Sequence, residues 1–418
     1  MSTRVTGPSA PEIVLIGTLD TKGREIEYTR GALQRLGCSV TVVDSGILGE
    51  ADGCVPDVSR AQVAAEAGYD IDELRNAGSR GKAVERMLEG VRAVCLRLLA
   101  EGRLDGALCL GGAEGAILGA AAMRVLPVGI PKLIVSPSAS GRRPFGDFVG
   151  TNDALVMHSV VDILGLNPIA RSVFDSAAAA VAGMARDGGG ALGALGPATV
   201  ALTMLGHTTP AVMRIRARLE KEGYEPVVFH ANGVGGPAME DLARAGSIAA
   251  VVDYTLSELA NSVMNGIHTT GPERLTVAGA LGLPQVVVPG CADFFNQGAP
   301  STLPAHYRSR KCYYHNPVAT LVRLSPDEMV QLGRTIASRL NPSVGPVRVI
   351  VPTRGFSLAD VPGGDLWDPE ADAALVETLE RELRDDIPLE LVETHVNDPE
   401  LADLVAERFL AIAPVVHA

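Results

Sequence analysis

A chain of 418 residues exceeds what one ordinary hydrophobic core serves, so two or three domains are expected. Hydrophobic residues make up 47% of it and aromatics only 4%, which points to small-residue helices packed on parallel strands rather than to an aromatic-rich β-sandwich. With 36 Lys plus Arg against 49 Asp plus Glu, the formal charge is −13 and no basic block stands out, which argues against a nucleic-acid partner.

The opening MSTRVTGPSAPE carries no apolar signal core, and the run Ala177 to Ala182 is too short and too weakly apolar to cross a bilayer. A cytoplasmic protein without a membrane partner is expected. Its six cysteines lack a CxxC pair and its eight histidines lack HxH or HExxH spacing, so reduced, mostly buried thiols and no dedicated metal site are expected.

Ile13-Val14-Leu15-Ile16 is a buried run that stops at Gly17. The turn Thr18-Leu19-Asp20-Thr21-Lys22 follows, then a helical face of Ile26, Ala32, Leu33 and Leu36 that Gly37 ends, then Val40-Thr41-Val42-Val43 closing on Asp44. The pattern predicts strand, turn, helix, strand. Ligands of open parallel sheets sit beyond the carboxyl ends of the strands, so chemistry is expected at 17–22 and 44–46.

Residues 48–81 are polar and turn-rich and predict an irregular excursion over the ligand edge, either a lid or a surface insertion. A helix is expected over 82–100, and a strand over 105–110 runs into Gly111-Gly112-Ala113-Glu114-Gly115 and an Ala-rich helix to Met123. Glycines between strand and helix suit an anion, but they also suit tight packing, and Glu114 sets a negative charge where a phosphate would approach. The strand 131–135 ends in Ser136-Pro137-Ser138-Ala139-Ser140-Gly141-Arg142-Arg143, which is either a phosphate or carboxylate site or a loop with solvated arginines. Gly150-Thr151-Asn152-Asp153 is expected to open another helix.

A linker is expected from Asp187 to Pro197, after which the order repeats. Thr199 to Met204 reads as a strand, Leu205 to Pro210 as a turn, Val212 to Leu219 as a helix, and Pro226 to Phe229 as a strand ending at His230. GRLDGALCLGG is matched in position by GSIAAVVDYTL, and GIPKLIVSPSASG by GLPQVVVPGCADF. The predicted fold is α/β: two Rossmann-like doubly wound domains, 1–190 and 191–418, with mostly parallel sheets facing each other across a cleft. Gly17 and Gly206 should then hold equivalent topological positions.

The second half is richer in reactive side chains. His230 stands at a strand end beside Asn232 and Gly233, placed as a general acid or base or as a hydrogen-bonded loop histidine. His315 precedes Asn316-Pro317 and suits a polar loop donor. His395 with Asp398 reads either as an oriented pair or as a helix N-cap, and capping is expected. Cys291, two residues before Asp293, reads as a packed thiol or as a nucleophile. The Walker pattern GxxxxGK[ST] and an intact GxGxxG are both missing.

GTLDTKGRE, VVDSGILG, Gly111-Gly112, SVVDILGLN, TTPAVMR, FHANGVGGPAME, PGCADF, YYHNP, RGFS with PGGDLWDPEAD, and HVNDPE resemble the Tm-one-like ATP-binding family nearly end to end. The resemblance implies two Rossmann-like domains, a homodimer, ATP with Mg²⁺ bound by the N-terminal domain, and a TIM-barrel enzyme as partner in trans. Two departures stand out: GGAEG where the family has a small-residue turn such as GGSGG, and Asn152 where it has a lysine. Each change near phosphates would cost on the order of 1 kcal/mol or more, and Arg142 is placed to compensate.

The chain is thus expected to bind ATP or another small anionic metabolite in an interdomain cleft, as an enzyme or enzyme component of small-molecule metabolism. A non-catalytic ATP-responsive subunit of a TIM-barrel enzyme, and a nucleotide-independent hydrolase or lyase acting on a small acid, are the alternatives. Expected ligand contacts are Thr18, Asp20, Thr21, Lys22, Asp44, Gly111, Gly112, Ser138 and Ser140. Lys22 would neutralise a phosphate or carboxylate and Asp44 would accept from a hydroxyl. His230 is the expected acid/base, with Asp293, Glu258, His315 and Arg354 orienting or stabilising the substrate.

Overall fold

The computed structural model describes residues 10–139, 146–188, 190–192, 196 and 198–416. The chain divides into two compact units, Met1–Leu192 and Gly193–Ala418.

In the first unit β1 (Glu12–Gly17), α1 (Leu19–Arg35), β2 (Ser39–Asp44), α2 (Arg60–Glu66), α3 (Ile71–Arg75), α4 (Arg80–Ala100), β3 (Gly106–Leu110), α5 (Ala113–Arg124), β4 (Lys132–Ser136), α6 (Gly146–Val149), β5 (Leu155–His158) and α7 (Pro168–Asp187) follow in order. The strands make one parallel sheet in the order β2-β1-β3-β4-β5. Alternation of side chains along each strand sorts its apolar run onto two faces. Val14, Ile16, Ala107, Cys109 and Ile134 pack with Met87, Val91 and Val94 of α4, while Ile13, Leu15, Leu108 and Leu133 pack with Ile26 and Leu33 of α1 and Phe174 and Val181 of α7. Burying each of the Val, Leu, Ile, Met and Phe side chains stabilises the unit by about 1.5–3 kcal/mol.

The second unit runs through β6 (Thr199–Met204), α8 (Thr209–Lys221), β7 (Glu225–His230), α9 (Gly235–Arg244), β8 (Ala250–Thr255), α10 (Ser257–Met264), α11 (Val277–Ala280) and β9 (Gln285–Gly290). It continues with β10 (Phe294–Gln297), α12 (Ala305–Arg308), β11 (Cys312–Asn316), β12 (Ala319–Arg323), α13 (Pro326–Leu340), β13 (Val347–Pro352), α14 (Pro369–Glu382), β14 (Leu389–Val392) and α15 (Pro399–Leu410). Six parallel strands are ordered β14-β13-β9-β8-β6-β7, and β10-β12-β11 form a separate antiparallel sheet.

The fold is α/β with two Rossmann-like sheets. The order β2-β1-β3-β4 is matched by β7-β6-β8-β9, so the turns holding Gly17 and Gly206 both follow the first strand of their sheet, as the repeat requires. In each sheet the chain reverses its direction of winding beside that strand. The switch points therefore lie between β1 and β3 and between β6 and β8.

Some local expectations are corrected. The excursion 48–81 is not irregular throughout: it folds α2 and α3 and starts α4, the first two behind capping boxes at Ser59 with Gln62 and Asp70 with Glu73. Leu36 does not continue the buried face of α1 but is exposed. Gly150 to Asp153 opens no helix and instead leads from α6 into β5. Tertiary bonds override the local pattern there. Asn152 Nδ2 donates to the Met123 and Leu126 carbonyls at 2.9 and 3.1 Å, and Asp153 Oδ1 accepts from the buried Lys132 ammonium at 2.6 Å. Asp398 stands at the N-cap position of α15 but does not cap it, because its carboxylate accepts from the His395 amide at 2.8 Å. All six cysteines are free, five of them buried. Among the described residues no helix is long and apolar enough to cross a membrane.

Candidate functional site

The switch point of the first sheet opens into a cleft of about 840 Å³. The turn after β1 contributes Thr18, Asp20, Thr21 and Lys22; the loop after β2, Ser45 to Leu48; the turn after β3, Gly112 to Gly115. Leu74 to Asn76 and Gly78 to Arg80 roof it, with Ala83 and Val84 of α4. The excursion expected over the ligand edge thus lines the cleft.

Its floor is built from backbone. Thr18 and Gly112 stand at the N-caps of α1 and α5, and neither helix receives a side-chain cap. Both therefore turn partial positive charge and first-turn amides toward the cleft. Gly111 is buried and does not line it; a Cβ there would come within 2.4 Å of the Ala116 nitrogen, so this glycine serves the tight passage from β3 into α5.

The side chains divide into those that hold the loops and those left open. Asp44 is buried and accepts from the amides of Leu19 and Gly46 at 3.0 and 2.9 Å, tying the turn after β1 to the one after β2. Burial raises its pKa above the usual carboxylate value, against the lowering effect of those amides and of Arg60. Asp20 accepts from the Gly49 amide at 3.0 Å. Thr18 and Thr21 share a hydroxyl bond of 3.1 Å. No carboxylate pairs with the Lys22 ammonium among the described residues. Ser45 is fully buried, lines the cleft, and its Oγ has no hydrogen-bond partner. A polar atom so placed is what a ligand or an ordered water satisfies; Ser45 falls inside the stretch 44–46 where chemistry is expected, but it was not named as a contact because a serine after a strand carries no distinguishing sequence signal.

Glu114 lies in this cleft, but Arg80 neutralises it at 2.6 Å. Asn152 does not: it caps the carboxyl end of α5, and with about 1.5 Å of rise per residue the 12-residue helix sets it far from Gly112. Its loss of a lysine charge therefore falls outside the cleft. Ser138 donates its amide to Ser136 Oγ at 3.1 Å and does not line the cleft, while Ser140 and Arg142 lie outside the described residues.

The expected residues of the second unit do not gather into one group. His230 ends the edge strand β7 and is exposed. Glu258 is fully buried: its Oε1 accepts from the Gly233 and Gly236 amides at 2.8 and 3.1 Å, and its Oε2 from Arg274 Nε at 2.6 Å. Arg274 in turn reaches Asp253 Oδ1 at 2.7 Å. Asp293 is buried beside Asp360, Asp372 and Arg323 and accepts from Ser357 Oγ at 2.7 Å. Burial and Asp360 push its pKa up to about 7; burial pushes Asp372 up to about 8 despite Arg323. Arg354 is exposed and pairs with Glu393 at 2.6 Å. His315 is exposed on β11, its ring centroid 6.0 Å from that of His207.

His207, in the turn after β6, was not singled out from the sequence. It is 7% exposed, its Nδ1 has no partner, and burial together with His315 pushes its pKa down to about 4. His268 is similar: its Nδ1 is buried without a partner, and burial and His230 lower its pKa. Cys291 is fully buried, with its thiol raised by burial well above the ordinary value. Among the described residues no group of three or more His, Cys, Asp or Glu could hold a metal ion.

Two family models match the chain, both described as the Uncharacterised protein family (UPF0261): the N-terminal domain over residues 11–188 and the C-terminal domain over 197–413. An UPF0261 protein of Clostridium tetani is 37% identical over 401 residues, covering 96% of this chain and 98% of that protein. One of Mesorhizobium japonicum is 38% identical over 406 residues, with 96% and 99% covered. The tomato protein "ToMV resistance protein Tm-1(GCR237)" is 35% identical over 436 residues, a match that takes in 97% of this chain and 56% of the tomato protein.

Proposed function

We propose, for a chain that belongs to the Uncharacterised protein family (UPF0261), that the cleft of the first unit binds ATP or another small anionic metabolite, and that the protein works as an enzyme or enzyme component of small-molecule metabolism. The observation that carries the reading is the convergence of two uncapped helix N-termini and Lys22 on one cleft at a sheet switch point, together with the orphaned, buried Ser45 Oγ.

The donor set fits a phosphate chain. The amides of 112–115 and 18–21 would hold oxygens, Lys22 would balance charge, and the apolar end at Leu48, Leu74, Val84 and Leu118 would suit a flat base. Mg²⁺ would arrive with the nucleotide and supply charge neutralisation, with Asp20 as the carboxylate nearest in sequence to the phosphate-facing turn. A homodimer in the cytoplasm belongs to the same reading.

Thermal denaturation with ATP, ADP, phosphorylated acids and free acids, each with and without Mg²⁺, tests it. A ligand present at about 100 times its dissociation constant should add about 2.7 kcal/mol of stability. Stabilisation by none of these anions, or stabilisation that Lys22→Ala leaves unchanged, would sink the proposal.

A second reading is an ATP-responsive subunit of a separate TIM-barrel enzyme. It draws on length, since the match takes in only 56% of the tomato relative. Binding without turnover, and turnover only when a partner is added, would favour it.

A further inference from the structure

We propose that the second unit holds a small-molecule site of its own at the switch point of its sheet, where His207 and His315 face one another to receive a small carboxylate. It is built from residues of the second unit alone.

Three local irregularities meet there. His207, in the turn that corresponds to Thr18–Lys22, is buried with an unpartnered Nδ1 although a buried polar atom normally finds a partner. The pairing of β11 with β12 slips between Tyr314 and Asn316, which puts His315 on a bulge, and bulges re-aim side chains beside functional sites. Cys291 takes a left-handed conformation, φ 55°, at the end of β9. It is joined to the same place through Thr208, which neighbours its thiol and whose Oγ1 lies 2.8 Å from that of Thr255 at the end of β8. Departures from local rules that converge on one point mark function more often than chance packing.

The neighbouring groups choose the ligand. Tyr313 and Phe294 set their rings 5.6 and 5.3 Å from His207, and Asn397 donates its side-chain amide to the His207 carbonyl at 2.8 Å while its own buried Oδ1 stays unpartnered. The permanent cations of the neighbouring segments are committed: Lys311 to Asp368, Arg354 to Glu393, Arg323 to Asp372. Charge on a ligand is then met by protonating the imidazole pair, which suits a monocarboxylate and not a polyphosphate.

The titratable groups packed around His207 are His315 and Tyr313 from β11, Cys291 after β9, and His395 behind Asn397. His395 is bound on both nitrogens. The Asn397 amide donates to its Nδ1 at 3.2 Å, so Nε2 carries the hydrogen toward the Ser357 carbonyl at 2.8 Å. The proton taken up with the ligand therefore goes to His207 or His315.

Isothermal titration of the full chain with lactate, pyruvate and inorganic phosphate, in buffers of different ionisation heat at neutral pH, tests this. The expected result is carboxylate binding with uptake of about one proton, weakened about tenfold or more in His207→Asn and in His315→Gln, and unchanged in Lys22→Ala. His315 is exposed, so its variant decides the matter even where the buried one fails to fold. Absence of carboxylate heat, equal carboxylate binding by His315→Gln, or loss of carboxylate binding in Lys22→Ala would each overturn the proposal. Absence of heat would leave an ordered water as the partner of Nδ1. ATP binding in the same titration remains a separate readout of the first cleft.

Discussion

The glycine turns at 111–115 and 232–236 both open a helix at the carboxyl edge of a parallel sheet, and they differ in what meets them. In the first unit the amides face an open cleft. In the second, the carboxylate of Glu258 already sits on the amides of Gly233 and Gly236, braced by Arg274 and, through it, by Asp253. The fit is close: a Cβ on Gly236 would lie 2.0 Å from Glu258 Oε2. The same backbone device thus stands open to a cleft in one unit and holds an internal anion in the other, where it becomes part of the framework. A glycine-rich turn is an offer of amides, and the tertiary structure decides what takes it.

The sharpest way to break this comparison is to remove the brace. Arg274→Met should leave Asp253 and Glu258 buried without their cation and cost about 3–5 kcal/mol, read from urea unfolding. A loss below about 1 kcal/mol would show that the turn needs no internal anion.

The second effect concerns the other buried acid cluster. Asp293 and Asp372 keep protons to about pH 7 and 8 when folded, whereas an unfolded aspartate releases its proton near 4. Between those limits the folded chain binds more protons than the unfolded one, so stability should fall as pH rises, by on the order of 1 kcal/mol per pH unit for each group. At pH 6.5 an unfolded histidine is about half charged while the buried His207 is neutral in the folded chain, so His207 works in the opposite direction, and comparison with Asp372→Asn, which shares that contribution, isolates the carboxylates. Denaturant midpoints at pH 6.5 and 8 should therefore separate in the wild type and draw together in Asp372→Asn. Equal separation in both proteins would exclude the cluster as the cause.

On the open side, Lys22→Ala should weaken ATP or its anionic equivalent about tenfold, about 1.4 kcal/mol, with folding stability little changed. Unaltered affinity would remove Lys22 from the site. The smallest effect belongs to Arg80→Gln. Its pair with Glu114 is solvent-exposed, so stability should be little changed. The freed Glu114 charge should still lower anion affinity a few fold, measurable by the same titration.

Much of the framework was legible. Ile13 to Ile16, Thr199 to Met204 and the two later matched strands are short apolar runs bounded by glycine or polar turns, and each forms a buried parallel strand. The excursion 48–81 was harder, because its helices are short and held by capping boxes that carry little apolar periodicity. The helix expected at 150–153 failed because Lys132 and the end of α5, distant in sequence, claim Asp153 and Asn152.

Sites divide along the same line. That Thr18 to Lys22 and Gly112 would stand at one edge followed from strand-turn-helix order alone, because the handedness of parallel crossovers sends successive strand ends to the same side. Whether a carboxylate there meets a ligand or a neighbour did not follow. Asp44, Glu258 and Asp293 read as site residues and are buried against partners. Ser45 and His207 read as turn residues and carry unpartnered buried atoms.

By itself the sequence determined the alternation of strand and helix, the repeat, and the edge at which polar loops collect, because hydrophobic period and turn chemistry are local. Only the tertiary structure decided which of those loops stays open. Filling a ring of amides takes a charge brought in by other segments, and Glu258 and Arg274 come together there only once the second sheet has folded.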